Sequence, residues 1–125
     1  MTVVLALVPD LLFGSRVQGT LTAAGHEVEL IAHEDGLRSR LEDHAAPAAA
    51  VVVVDLTSDE LDGAELIESL SGAGMLGRAR TLGFYSHVDA RTRERAEGAG
   101  FDLVVPRSRL AREGAQLVAR LESRS

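Results

Sequence analysis

The chain has 125 residues, 46% of them hydrophobic, with a mean hydropathy of +0.08 and a formal net charge of −6. That length suits one domain and that composition can bury a core, which excludes an intrinsically disordered chain. The negative balance argues against a general nucleic-acid binder, which needs clustered positive charge, and the absence of cysteine excludes disulfides and thiolate metal sites.

The start, MTVVLALVPD, has no basic region and only six consecutive apolar residues. That is too short for a secretory signal core or for the ~20 residues that span a bilayer, so it reads as a strand at 3–8. A cytoplasmic location with no membrane contact is therefore expected. Leu12, Phe13, Val17, Leu21 and Ala24 then recur at helical spacing, with Gly25 placed as the residue after a helix. HEVELIA, 26–32, alternates as a half-buried strand at a sheet edge does, and GLRSRLEDH forms a weak helix behind it. AAAVVVV, 48–54, is a β-branched run for a central strand buried on both faces.

ELDGAELIESL, 60–70, is the third helix, for which Thr57, Ser58 and Asp59 are candidate caps. ARTLGFYS, 79–86, is a fourth strand, and Asp89 can cap a helix that runs to Ala99 ahead of Gly100. FDLVV, 101–105, is a short fifth strand stopped by Pro106, and Ser108 is placed to cap the final helix. Charge divides along the chain. Residues 1–75 hold three arginines against thirteen acids, and residues 76–125 hold ten arginines against six. There is no lysine, which excludes any mechanism that needs a lysine amine.

Five strands alternating with five helices imply an α/β fold, a doubly wound parallel sheet with right-handed crossovers. Five strands suit the flavodoxin-like order 2-1-3-4-5, a (βα)5 arrangement whose ligand crevice lies at the carboxyl ends of strands 1 and 3. In this chain that crevice is built from Pro9, Asp10, Asp55, Ser86, His87 and Arg107.

On these residues the chain resembles the receiver domains of two-component response regulators over its full length. Asp55 ends the third strand, Asp62-Gly63 follows with Gly63 eight positions on, and Gly100-Phe101-Asp102 stands where receivers have Gly-Ala-Asp. Arg107, seven positions past Gly100, falls where the family has its lysine. The resemblance implies a phosphoacceptor role for Asp55, a switch hydroxyl at Ser86 or Tyr85, and Mg²⁺ held by an acidic pair after the first strand. That pair falls near Val8-Pro9, leaving Asp10 and Asp55 as the Mg²⁺ ligands. Arginine offers a fork in place of the compact lysine ammonium. Pro106 precedes Arg107 rather than following it, and Leu103, Val104 and Val105 offer no aromatic switch.

The resulting expectation is a stand-alone pseudo-receiver: a signalling module with a degraded phosphorylation apparatus, working through a protein partner, kinase or effector, with a homodimer as one form. The competing reading for Asp55 is a turn cap, and Arg107 is expected to pair with a nearby carboxylate such as Asp55, shutting the crevice. The alternative function is an anion- or small-molecule-binding domain, or an enzyme, using Asp10, Asp55, Ser86, His87 and Arg107, with His87 as a base. No catalytic residue is assigned. The sets His33, Glu34, Asp35 and His87, Asp89 lack metal-binding spacing, and Arg91, Arg93 and Arg95 read as a solvated surface beside the face that receivers offer to partners. Gly14 and Ser15 lack the glycine pattern of a nucleotide loop.

Overall fold

The computed structural model describes residues 2–86 and 90–123. Its elements run in strict alternation: β1 (Val3–Leu7), α1 (Leu11–Ala23), β2 (Glu27–Ile31), α2 (Glu34–Glu42), β3 (Val51–Asp55), α3 (Gly63–Gly72), β4 (Arg80–Tyr85), α4 (Ala90–Ala99), β5 (Leu103–Pro106) and α5 (Arg107–Ser123). The strands form one sheet in the order β2-β1-β3-β4-β5, and every neighbouring pair is parallel. The flavodoxin-like order read from the alternation is the order found.

Strand alternation sends successive side chains to opposite faces, so the sheet builds two cores. Val4, Ala6, Val51, Val53, Leu82, Phe84 and Val105 pack on one face under α1 and α5, with Phe13, Val17, Leu21, Leu110, Leu117 and Leu121. Leu5, Leu7, Val52 and Val54 pack on the other, with Leu37, Leu66, Ile67, Leu70, Ala96 and Phe101. β3 is buried throughout because both faces are covered. β2 is half exposed along its length, as an edge strand with alternating polar residues should be.

Several boundaries differ from the sequence reading, each for a local reason. α3 starts at Gly63, not Glu60, because Asp62 is its cap and accepts from the Glu65 amide at 3.1 Å. Thr57, Ser58 and Asp59 therefore cap no helix. Pro106 closes β5 from within instead of stopping it beforehand, as an edge strand tolerates. α5 begins directly at Arg107, which puts Ser108 inside its first turn rather than at its cap. The proposed cap Asp89 lies outside the described residues.

The receiver-like Gly100-Phe101-Asp102 stretch has a structural task. Gly100 turns the chain out of α4 at φ +109°, a conformation that favours glycine. Asp102 then fastens the start of β5 to β4: its Oδ2 accepts from the Thr81 amide at 2.8 Å, and its own amide donates to the Thr81 carbonyl at 3.1 Å.

Candidate functional site

The exits of β1, β3 and β4 and the junction of β5 with α5 lie at one end of the sheet, because all strands point the same way. Asp10, Asp55, Tyr85, Ser86 and Arg107 come to this end. They do not form one constellation. His87 lies outside the described residues.

Asp55 is buried, with 3% of its surface exposed. Its Oδ1 accepts from the Thr57 amide at 2.7 Å and from the Thr57 hydroxyl at 2.6 Å. This is the local turn in which a carboxylate mimics a backbone carbonyl, and it fixes the exit of the chain from β3. One oxygen of the acceptor-position carboxylate is thus committed to shaping its own loop.

The expected pairing of Arg107 with a nearby carboxylate is formed with Asp10 and not with Asp55. Arg107 Nη2 lies 3.3 Å from Asp10 Oδ2, and the guanidinium carbon stands 4.0 Å over the centre of the Phe13 ring. Phe13 in turn packs against Phe84 at 5.1 Å between centroids. Cation–π attraction and the ion pair therefore hold one side chain in one place. Asp10 is also the cap of α1, its Oδ1 accepting from the amides of Leu12 at 3.0 Å and Phe13 at 3.2 Å. The Phe13 amide is the largest cause of a carboxyl held below the usual carboxylate range, followed among the favourable causes by the Leu12 amide and the Arg107 charge.

Mg²⁺ needs several oxygen ligands near octahedral geometry. At the position of the receiver acidic pair stand Val8, buried and donating its amide to the Ile31 carbonyl at 3.0 Å, and Pro9, which has no ligand group in its side chain. Asp10 faces helix amides and Arg107, and Asp55 faces Thr57. No group of three His, Asp or Glu side chains among the described residues converges to hold a cation. Asp10 and Asp55 do not fit a Mg²⁺ centre.

A different feature occupies this end. Phe13, Arg16, Tyr85, Ser86, Pro106, Arg107, Ser108 and Ala111 line an open cleft of about 570 Å³ between α1 and the start of α5. Ser86, the candidate switch hydroxyl, is exposed on its wall, while Tyr85 is buried. Asp55 is not among the lining residues. The sequence reading passed over Arg16, whose signal was its place three residues after Phe13, on the same side of α1. It also missed a second clamp. Arg95, a solvated surface residue by its spacing, grips Asp62 with two nitrogens, at 2.7 and 3.1 Å.

The fold is that of the receiver domains of response regulators. Three solved structures carry the comparison: the chemotaxis response regulator CheY4 of Vibrio cholerae, the receiver domain of the Francisella response regulator 1452, and a LuxR-family DNA-binding response regulator from Staphylococcus aureus. CheY4 is 16% identical with a TM-score of 0.82, over 97% of this chain and 98% of the other. The Francisella domain is 15% identical with a TM-score of 0.82, over 99% and 98%. The Staphylococcus protein is 12% identical with a TM-score of 0.82, over 98% and 100%. No protein-family model and no curated protein sequence matches the chain.

Proposed function

We propose that this chain is a receiver-type signalling module that acts by binding a protein partner, a kinase or an effector, without turnover of an aspartyl phosphate. The observation that carries this is the clasp formed by Arg107, Asp10 and Phe13. The cation at the lysine position is held by Asp10, the carboxylate beside the metal position, and the described contacts join neither of them to Asp55. Two further features support it. Asp55 is buried and bonded to Thr57, and the acidic-pair position is apolar. Phosphoryl transfer between anionic groups depends on cations placed at the developing charge, whereas Arg107 is turned to Asp10 and Phe13. The neighbours named above are response regulators, two of them named for chemotaxis and for DNA binding, which supports a role in signal response for the shared fold.

The test is the intact mass of the protein after incubation with acetyl phosphate and Mg²⁺, beside Asp55→Asn. No phosphoryl adduct on either protein is expected. An adduct on the wild type that disappears in Asp55→Asn overturns the proposal and makes this an active receiver.

A further inference from the structure

The cleft between α1 and α5 has a composition that neither the turn at Asp55 nor a partner-binding role explains. Two guanidiniums, two serine hydroxyls and two aromatic residues, one of them a tyrosine, line it, and no carboxylate among the described residues does. Arg16 has no hydrogen-bond or ion-pair partner among the described residues. Arg107 lies over the Phe13 ring, and its one ion-pair partner among the described residues is Asp10, through a 3.3 Å contact in which both side chains are about 40% exposed. The volume falls within the ~300–1,000 Å³ usual for small-molecule sites, and a few charged groups in a mainly apolar lining is their usual chemistry.

We propose that this cleft binds a small organic anion, a carboxylate or phosphate group carried on an apolar body, with Arg16 and Arg107 as its charge partners and Asp10 as its built-in competitor. The anion sits between the two guanidiniums, where a forked donor pairs both oxygens of a carboxylate or phosphate. The apolar body lies along Phe13, Pro106 and Ala111. Ser86 and Ser108 offer hydroxyls at the rim. Asp10 sets the threshold, because an entering anion must draw Arg107 from a solvent-screened ion pair that is cheap to break. The site uses neither Asp55 nor a metal, so it stands or falls independently of the phosphorylation result.

The experiment is a titration followed by backbone amide chemical shifts, with phenyl phosphate, phenylacetate and inorganic phosphate as separate probes. At least one organic probe is expected to saturate in the millimolar range, moving the amides of Phe13, Arg16, Ser108 and Ala111. Arg16→Ala is expected to weaken that binding about tenfold, the loss of one charge-assisted contact. Asp10→Asn keeps a good helix cap, frees Arg107, and is expected to tighten binding by about two- to fivefold. No saturation by either organic probe overturns the proposal, as do affinities that neither substitution changes in folded protein. Inorganic phosphate binding as tightly as phenyl phosphate also overturns it, leaving a bare anion site.

Discussion

Leu56, the residue after Asp55, lies between two glycines. A Cβ on Gly63 would stand 2.6 Å from Leu56 Cδ2 and 3.0 Å from Val54 Cγ1, and a Cβ on Gly83 would stand 2.9 Å from Leu56 Cδ1 and 3.2 Å from the Phe101 ring. Leu56 cannot yield to one glycine without meeting the other, and the β-branched Val54 is stiff. Gly63→Ala is therefore expected to cost about 1–3 kcal/mol by overpacking. In a Leu56→Ala background the same change should cost clearly less, and a double-mutant cycle by urea unfolding reads the difference. Additive costs would remove Leu56 as the cause. The Asp-Gly pair was legible as a motif, but this reason for its glycine was not, because the second wall of the notch comes from a strand twenty residues later. Reach is the common limit at this scale. The sequence placed Asp55 and Arg107 at one end of the sheet correctly, yet gave no means of choosing Asp10 over Asp55 as the partner of a long, flexible arginine. The cap role of Asp10 sets the orientation of its carboxylate and so decides the pairing.

At the level of elements, the alternation of apolar runs with helical stretches gave all ten elements in order, since each core-facing residue had to repeat at two or at about 3.6 positions. Boundaries moved where one side chain took charge, as at Asp62. That residue also joins two elements, because it caps α3 while Arg95 of α4 holds both its oxygens. The hydrogen bonds from Arg95 are the largest cause of a carboxyl held below the usual range, with the Glu65 amide next. A carboxyl lowered in the folded state stabilises above its unfolded value of about 3.9, and that contribution fades as pH falls through the folded value. Both side chains are about half exposed, so screening keeps the pair at roughly 0.2–1 kcal/mol. Asp62→Asn, which retains a cap but no charge, should be less stable than the wild type by that amount at neutral pH. The gap should narrow as pH falls below the usual carboxylate range, as urea midpoints at neutral and acid pH will show. A gap unchanged by acid would assign the effect to packing.

Across the whole molecule, the strand order turns a division in sequence into a division in space. The acidic first 75 residues supply β2, β1 and β3, the basic remainder supplies β4 and β5, and so charge runs from one sheet edge to the other. No described helix is long and apolar enough to cross a membrane. The two layers close differently. On one face α2, α3 and α4 cover strands made close to them in the chain. On the other, α1 packs beside α5, with Phe13, Val17 and Leu21 in the same core as Leu110, Leu117 and Leu121, while Thr2 bonds Glu122 and Asp10 meets Arg107. A ribosome making this protein thus delivers the greasy side of α1 long before α5 arrives to complete its cover. Nascent chains arrested with α5 still inside the exit tunnel should be cut readily by protease within α1. Chains arrested after α5 has emerged should resist, and early resistance would show that the first three strands shelter α1 without it.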